Sequence, residues 1–572
     1  MRMDMREIIT QALYRAAKEA YPDAVFDPAA LSRALEIPPD PSLGDMAFPC
    51  FSLSRALRMG PPQIASRLSA LISDPMIERA EVKGGYLNFF LDREALARST
   101  VEAVLASDGN WGAGKEGEGK TVCLDYSSIN IAKRFHIGHL STTVIGHSLK
   151  RIYDYLGYKT VGINHLGDWG TQFGKMIAAY KHWGSKEEVE KGGVQALSEL
   201  YVRFHKEAET DPALDDEGRA WFKKIEDGDA EALSIFNWFK ELTLKDAARV
   251  YDILGVSFDS YAGESFYNDK MDRVVNELKA KNLLVESDGA YVVDLEPYGM
   301  PPCLILKRDG ATLYATRDIA AALYRKDTYD FEKCLYVVAY QQDLHFRQVF
   351  KVLELMGYEW AKEQMEHVAF GMISYEGEAL STRRGNAVYL DELLTAAREK
   401  ALAIIEEKSP GLSDKEKTAR QVGIGSVIFF DLFNSRIKDI DFHWDRALNF
   451  DGETGPYVQY TYARCCSVIR KSEGLKPERD YSALRDDEAL ALVKLLALFP
   501  EAVRDAALRN EPSILTRATT EIAKAYNKYY YEHRILTDNA GESATRLALT
   551  EAVRQVIERG LYLIGLEAPQ QM

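Results

Sequence analysis

Cysteine is scarce in this sequence, and the few cysteines are scattered along the chain. No two of them form a C-x-x-C pair, so neither a disulfide framework nor a zinc site is indicated. We expect reduced thiols in the core of a cytoplasmic protein. The six cysteines are Cys50, Cys123, Cys303, Cys334, Cys465 and Cys466.

The sequence also lacks a long apolar run, since no stretch approaches the roughly 18 residues that a membrane-spanning helix needs. Its first residues include Asp4 and Glu7 within an amphipathic pattern, which is not the pattern of a signal peptide. With 46% hydrophobic and 28% charged residues, the composition is typical of a soluble globular protein. Because the sequence lacks a long apolar run, we expect no membrane association. A length of 572 residues suggests roughly four domains.

Positive charge is in short supply, because the formal net charge is −16. This balance argues against a protein that is covered with non-specific basic surface. It does not exclude RNA as a partner, since a local basic face on an acidic protein can still release counterions from phosphates. Charge alone therefore leaves the partner open.

The most informative stretch, residues 121–157, reads as a strand, a polar turn and a helix. Residues 121–126 are an apolar run rich in β-forming residues, which predicts a buried strand. Apolar residues recur at helical spacing from Ile145 to Leu156, and Gly157 is placed to end the helix. This order is the first half of a βαβ unit.

The turn places His136, Gly138 and His139 at the N-terminus of the predicted helix. Free N–H groups and the helix dipole favour an anion there, and Gly138 lets a flat ring or a phosphate approach the backbone. Two imidazoles three residues apart lie on one face and can donate to phosphate oxygens. A metal site is the alternative, but no Cys, Asp or Glu stands nearby at a matching spacing.

Three runs of sequence resemble the motifs of arginyl-tRNA synthetases, which are class I aminoacyl-tRNA synthetases. They are SSINIAK at 127–133, HIGHL at 136–140 and NHLGDWGTQFG at 164–174. The common family form has proline in place of Ile129 and often in place of Arg134, a difference that affects loop stiffness. The resemblance spans essentially the whole chain. It implies ATP-dependent activation of L-arginine to an adenylate, followed by transfer to tRNA(Arg).

The expected fold class is α/β. A doubly wound, parallel, Rossmann-like nucleotide-binding sheet should carry the site, with predicted strands at 334–340 and 367–374. An α/β domain should precede it and an all-α bundle should follow it. We assign residues 1–106 to the N-terminal domain, which in this family reaches toward the tRNA elbow, and residues 107–119 to a glycine-rich linker. The catalytic domain is expected at 120–390, with a helical insertion at about 180–260. A helical connector at 391–440 and an anticodon-binding bundle at 441–572 should follow.

The loop at 379–386 aligns with the lysine-rich class I signature, but Ala379 and Thr382 stand where both lysines are expected. Lys133 is expected to replace the missing cation, because negative charge builds up on the leaving pyrophosphate. A solvated loop without function is the alternative. The resemblance implies catalytic roles for Lys133, His136, His139 and Arg383, and ATP binding by His136, Gly138, His139, Ser381 and Arg384.

Arginine as a substrate makes specific chemical demands. Its guanidinium is planar with five donors, so its pocket should offer carboxylates and an aromatic or amide wall. Taken singly, an acidic residue is more often a surface charge or a helix cap, but joint occurrence in matching motifs favours a pocket. The resemblance implies arginine contacts for Asp125, Asn130, Glu264, Tyr314, Asp318 and Gln342.

Basic and aromatic residues interleave between Lys524 and Arg534, in the predicted bundle. This pattern suits single-stranded RNA, although several of these tyrosines should instead pack the bundle. Tyr460 is expected to stack on an anticodon-loop base. With the exposed candidates of the N-terminal domain included, the resemblance implies tRNA contacts for Tyr86, Asn88, Tyr457, Tyr460, Arg464 and Met572.

The expected substrates are ATP, L-arginine and tRNA(Arg), with Mg²⁺ accompanying ATP and neither a structural zinc nor another metal held by side chains. We expect a monomer, and in this family tRNA is usually required for activation.

Two alternative functions remain open. One is a class I synthetase for another amino acid, such as cysteine or glutamine, although the missing Cys/His zinc set argues against cysteine. The other is a non-catalytic tRNA-binding relative, against which the intact histidine motif argues.

Overall fold

The N-terminal unit of this computed structural model packs helices against a three-stranded antiparallel sheet. The structure describes residues 5–307, 313–378, 388–472 and 478–572. Ile9 and Leu13, at helical spacing, are fully buried and join the core under the sheet. The elements are α1 (Met5–Ala20), α2 (Pro28–Ala34), β1 (Met46–Pro49), α3 (Phe51–Leu57), α4 (Pro61–Ser69), β2 (Ile77–Lys83), β3 (Tyr86–Leu91) and α5 (Arg93–Ala106), with sheet order β1-β3-β2. This is the α/β unit that the sequence predicts.

The central part of the chain alternates strands and helices, interrupted by a helical insertion. Its elements are β4 (Thr121–Asp125), α6 (Leu140–Tyr155), β5 (Lys159–Ile163), α7 (Thr171–Trp183), α8 (Lys186–Ala208), α9 (Ala213–Glu226), α10 (Ala230–Leu254), α11 (Met271–Ala280), β6 (Leu284–Ser287), β7 (Ala290–Val293), β8 (Cys303–Leu306), α12 (Tyr314–Tyr329), β9 (Lys333–Tyr336), α13 (Asp343–Leu355), α14 (Trp360–Gln364), β10 (Met365–His367) and β11 (Ile373–Tyr375). Helices α7 to α10 form the insertion that the charged, helical pattern predicts.

Four parallel strands form the central sheet, in the order β10-β9-β4-β5. The chain runs from β4 outward to β5, and later returns on the other side of β4 to form β9 and β10. The direction of winding therefore reverses between β4 and β9. In doubly wound sheets, ligands bind in the crevice outside the carboxyl ends of the strands at such a reversal. The predicted class of fold is confirmed, and a ligand is expected in this crevice.

The strand expected at 367–374 is a wrong prediction, because two short strands in different sheets replace it. β10 ends the central sheet at His367, whereas β11 pairs in parallel with Ile440–Phe442. Between them, Gly371 packs so closely on Lys438 that a Cβ there would lie 2.2 Å from its carbonyl oxygen. This contact redirects the chain away from the central sheet. A separate antiparallel sheet, β6-β7-β8, was also absent from the sequence prediction.

The remainder of the chain is almost entirely helical. It contains α15 (Leu390–Lys408), α16 (Lys415–Phe433), β12 (Ile440–Phe442), α17 (Trp444–Ala447), α18 (Gly455–Lys471), α19 (Asp487–Leu508), α20 (Pro512–Glu532) and α21 (Ala540–Leu563). The helical bundle that the sequence predicts is therefore present. Within the described part of the chain, we find no helix with the length and apolar character to cross a membrane.

The glycine-rich segment at 107–119 is docked on the bundle. The indole N–H of Trp111 donates to the Leu496 carbonyl at 2.8 Å, and the side chain is buried. The backbone N–H of Gly109 donates to the Gln555 side chain at 3.1 Å. The segment thus connects the N-terminal domain to the central part of the chain, and its contacts also fix the N-terminal domain to the C-terminal helical bundle. The six cysteines are all free and buried, as expected.

Candidate active site

The two histidines between β4 and α6 are oriented by the backbone of a short 3-10 turn, Ile137–His139. Nδ1 of His136 accepts from the backbone N–H of Gly138 at 3.1 Å, whereas Nδ1 of His139 lies 3.2 Å from both the backbone nitrogen and the carbonyl oxygen of His136. A neutral imidazole carries one proton, so the His136 ring carries it on Nε2. The ring centroids of His136 and His139 are 3.9 Å apart, so the two imidazoles lie next to each other.

Both imidazoles are neutral at physiological pH. Burial, reinforced by the charge of Lys133, lowers the pKa of His136 to about 4. Burial, together with His136 and Lys133, lowers the pKa of His139 to about 3. The positive charge of this site therefore comes from the exposed Lys133. A fixed cation and neutral N–H donors both stabilise developing negative charge on oxygen.

A continuous chain of side chains joins Asp125, at the end of β4, to Asp318 on α12. Nη2 of Arg325 donates to Asp125 Oδ2 at 2.8 Å and lies 3.4 Å from Nδ1 of His165. Nε2 of His165 lies 3.8 Å from one oxygen of Asp318, and Nε2 of His345 lies 2.6 Å from the other. Burial opposes ionisation of Asp318, but hydrogen bonding to His345 leaves its pKa below the ordinary value. Two predicted arginine-binding carboxylates thus belong to one network.

Glu264 and Tyr314 extend this network. Glu264 lies 3.6 Å from Nη1 of Arg317, and both side chains are mostly buried. Burial raises the pKa of Glu264 to about 7, against the opposing effect of Arg317 and with a further rise from Asp318. The charge of Asp318, followed by burial and the charge of Glu264, raises the pKa of Tyr314. The ring of Tyr314 lies 4.7 Å from that of His345, which bonds Asp318, so these groups lie close together.

The two remaining predicted arginine contacts are Asn130 and Gln342. Asn130 forms a parallel bridge with Gly167, and the adjacent Leu166 carbonyl accepts from the backbone N–H of Glu264 at 2.9 Å. Asn130 therefore sits against the segment that positions Glu264. Gln342 is exposed and lies in the 3-10 turn immediately before α13.

Sequence reasoning missed three members of the network: Arg325, His165 and His345. His165 lies inside the motif at 164–174, and His345 follows Gln342, a predicted arginine contact, by three residues, so a signal was present. Arg325 follows Asp318 by two helical turns on α12, and side chains at that spacing share a face. Pairing with Asp125, however, depends on tertiary structure.

The predicted residues Ser381, Arg383 and Arg384 lie outside the described residues.

Within the described part, one group of side chains has the geometry to hold a metal: Asp486, Glu488 and His533 in the helical bundle. It lies far along the chain from His136 and His139, so these histidines have no set of metal ligands with them among the described residues.

A large cavity of about 1080 Å³ opens between α18, the end of α20 and the C-terminus. It brings together three predicted tRNA contacts, Tyr460, Arg464 and Met572. The guanidinium of Arg464 lies over the rings of Tyr460 at 4.9 Å and Tyr530 at 5.1 Å. Exposed aromatic rings beside an arginine provide stacking surfaces for unpaired bases.

Other aromatic residues of the bundle serve packing. Tyr526 and Tyr529 are fully buried, as expected for part of the interleaved run. Tyr457, a predicted tRNA contact, is half-buried and is not among the residues found lining the cavity.

In the N-terminal domain, Tyr86 is exposed with its ring 5.5 Å from that of Phe51. Asn88 is only 5% exposed, so the prediction that it is accessible is wrong. It lies on the middle strand β3, which is paired on both sides.

Family models match nearly the whole chain in three parts. "tRNA synthetases class I (R), catalytic domain" matches residues 100–444, "DALR anticodon binding domain" matches 458–572, and "Arginyl tRNA synthetase N terminal domain" matches 3–91. Among curated relatives, the arginine--tRNA ligase of Alkaliphilus metalliredigens is 53% identical over 544 residues, covering 95% of this chain and 96% of the relative. That of Clostridium botulinum (strain Alaska E43) is 53% identical over 548 residues, covering 96% and 97%.

Solved structures give the same similarity. The Thermus thermophilus arginyl-tRNA synthetase superposes with a TM-score of 0.83 at 27% identity, covering 99% of this chain and 100% of that one. The Plasmodium falciparum arginyl-tRNA synthetase, at 21% identity, shares the fold with a TM-score of 0.80 over the full length of both chains.

Proposed function

Because the chain belongs to the arginyl-tRNA synthetase family of class I synthetases, we propose that it activates L-arginine with ATP and transfers the arginyl group to tRNA(Arg). One observation supports the proposed arginine site: Asp125, Glu264, Tyr314 and Asp318 interact with one another or with shared partners, and Asp125 ends β4, a strand at the reversal point of the sheet. A cluster of carboxylates with an aromatic ring fits a guanidinium and an ammonium group.

In the proposed reaction, the arginine carboxylate attacks the α-phosphate of ATP and pyrophosphate leaves. His136, through its Nε2–H group, and His139 donate to phosphate oxygens, and Lys133 balances the charge that accumulates on the leaving group. Gly138 lets the nucleotide approach the backbone. Mg²⁺, bound with ATP, supplies further neutralisation of the phosphates. Ser381, Arg383 and Arg384 remain candidates for ATP contacts.

The same proposal assigns the cavity at Tyr460, Arg464 and Met572 to bases of the anticodon loop. Tyr86 remains the candidate for a contact with the tRNA elbow, and Tyr457 and Gln342 keep their sequence-based assignments without support from their positions. One chain supplies all of these groups, so we propose a monomer. On the basis of these proposed substrates, we also propose a cytoplasmic location.

The arginine pocket is tested by the substitution Asp318→Asn. The predicted result is a KM for arginine that rises by roughly 10- to 100-fold, with the KM for ATP changed less than about twofold, because a charged hydrogen bond to the substrate contributes about 1.5–3 kcal/mol. Both constants come from tRNA-dependent ATP–pyrophosphate exchange. Glu286→Gln, on the exposed edge of β6, is the matched control. An unchanged KM for arginine would remove Asp318 from the pocket.

A further inference from the structure

The loop between β4 and the histidine turn adopts an unusual backbone conformation. Ser127, Ser128 and Ala132 have φ values of +70°, +45° and +62°, although none of them is glycine. A side chain in the left-handed region brings Cβ close to the neighbouring backbone, so such residues persist only where surrounding contacts hold them. This loop also carries Asn130 and Lys133, and therefore leads directly into the active site.

Two side chains of α10, the last helix of the insertion, make some of these contacts. Thr142 Oγ1 of α6 also accepts from the backbone N–H of Ser127 at 3.0 Å, and Thr143 Oγ1 donates to Ser127 Oγ at 2.9 Å. Thr243 Oγ1 accepts from the backbone N–H of Ala132 at 2.9 Å, and the Tyr251 hydroxyl lies 2.7 Å from Ser127 Oγ. Thr243 and Tyr251 are separated by about two helical turns, so both lie on the face of α10 that meets the loop. Both are at least 97% buried.

The Tyr251 hydroxyl also joins the loops that follow β4 and β5. It accepts from Asn164 Nδ2 at 2.8 Å, which leaves its own proton free for Ser127 Oγ. The ring of Tyr251 meets the edge of Phe135 at 5.5 Å, and Phe135 in turn stacks on His139 at 5.1 Å. One side chain thus touches the strained loop, the next strand end and the ring that supports a catalytic histidine.

We propose that Thr243 and Tyr251 are positioning residues for arginine activation. Neither side chain contacts the reacting atoms of arginine or ATP in this proposal. They hold the left-handed backbone at Ser127 and Ala132, so that Lys133 and the His136–His139 donors meet the phosphates in the correct geometry. The helical insertion thereby becomes part of the catalytic apparatus, in addition to being a structural extension.

The test compares single variants in tRNA-dependent ATP–pyrophosphate exchange. Tyr251→Phe keeps the ring and removes the hydroxyl, and Thr243→Val removes the acceptor. Each should lower kcat by about 10- to 100-fold, because misplacement of reacting groups by about 1 Å has effects of that size. The KM values for ATP and arginine should change less than about threefold. Thr243→Ser, which restores the acceptor, should recover most of the kcat.

Tyr153→Phe is the matched control. Tyr153 is a buried tyrosine of the same domain, and its hydroxyl bonds Ala507 O at 2.9 Å and Asn510 Oδ1 at 2.8 Å, away from the loop. It should lose stability while keeping kcat. An equal fall of kcat in Tyr153→Phe, or an unchanged kcat in both Tyr251→Phe and Thr243→Val, would overturn the proposal.

A double-mutant cycle then asks whether Tyr251 acts through Ser127. In a Ser127→Ala background, Tyr251→Phe should lower kcat by less than about threefold further, since neighbouring residues that act together are non-additive. Fully multiplicative effects would contradict the positioning role. The proposal rests on the proposed activity, but the two fail separately: the function fails if the unsubstituted protein shows no arginine-dependent exchange, and the positioning role fails only through the variants.

Discussion

At the scale of single residues, the environment of each titratable group sets its chemical role. His136 and His139 are neutral because burial lowers their pKa values to about 4 and about 3. His443 provides a contrast within the same chain, since hydrogen bonding to Glu376 and Asp441 raises its pKa. The two active-site rings should therefore act as neutral donors whose protonation does not change near physiological pH.

This difference predicts separate behaviour in a pH titration. As the pH falls from 7.5 to about 5.5, the ring signals of His136 and His139 should stay in the neutral form, because a lowered pKa moves protonation to more acidic pH. His443 should already be protonated at the midpoint expected for a free histidine, about pH 6.5. NMR of ¹³C-histidine-labelled protein, assigned with single His→Asn variants, measures this. Titration of His136 near pH 6.5 would contradict the account.

Glu264 predicts a pH dependence of arginine binding. Its raised pKa, about 7 without substrate, means that it is partly protonated at neutral pH, whereas a bound cationic arginine favours the ionised form. Binding must therefore release a proton below pH 7, and the KM for arginine should rise by up to about tenfold per pH unit there and level off above pH 7.5. In Glu264→Gln the KM should be high and nearly independent of pH. A flat profile in the unsubstituted protein would be inconsistent with this role.

Several residue-scale features could be predicted from the sequence, and others could not. The histidine turn and the acidic set were found because short motifs carry them. The burial of Asn88 and the ion pair between Asp125 and Arg325 were not found, since each depends on a strand or helix supplied from elsewhere in the chain. Removing one partner of so buried a pair leaves an uncompensated charge.

At the scale of elements, the packing of α6 against β4 determines where the histidine turn lies. Gly146 of α6 faces Tyr126, the residue that follows β4, so closely that a Cβ would lie 2.3 Å from the ring. Only glycine lets the helix approach the strand to this distance. The position of His139 at the start of α6 therefore depends on a residue almost two turns further along the helix.

Gly146→Ala should destabilise the protein by about 1–3 kcal/mol, because overpacking a well-filled contact forces side chains and backbone to shift. The same shift should reduce arginine-dependent pyrophosphate exchange. Gly60→Ala is the control: its φ is −67°, and the atom nearest to a new Cβ lies 3.8 Å away. Urea unfolding and exchange kinetics measure both variants. If Gly146→Ala matched the control in stability, the close approach of α6 would not matter.

Element predictions were good where periodicity was long and poor where strands were short. The strand β4, the helix α6 and the helical insertion follow clear patterns of spacing. The sheet β6-β7-β8 was missed because its strands have four residues each, too few for a reliable period. The run at 367–374 looked like one strand because the turn at Gly371 is imposed by Lys438, which is distant in sequence.

At the scale of the whole molecule, the N-terminal domain, the catalytic sheet and the bundle are held together by side-chain contacts between distant segments. Trp111 fixes the segment after α5 to α19, and Ser141 of α6 donates to the buried Asp431 of α16 at 2.6 Å. The nucleotide end and the anticodon end thus belong to one connected structure. The order of domains could be read from the sequence, whereas these contacts required the fold.

The most direct test of the whole account is amino-acid-dependent ATP–pyrophosphate exchange in the presence of tRNA(Arg). The account predicts exchange with arginine, and none above background with lysine, glutamine or cysteine, because the network around Asp318 and Glu264 matches a guanidinium. A His136→Asn variant should lose about 10²- to 10³-fold in rate, as expected for an oxyanion donor. Exchange that depends on another amino acid, or silence with arginine despite bound tRNA, would contradict it.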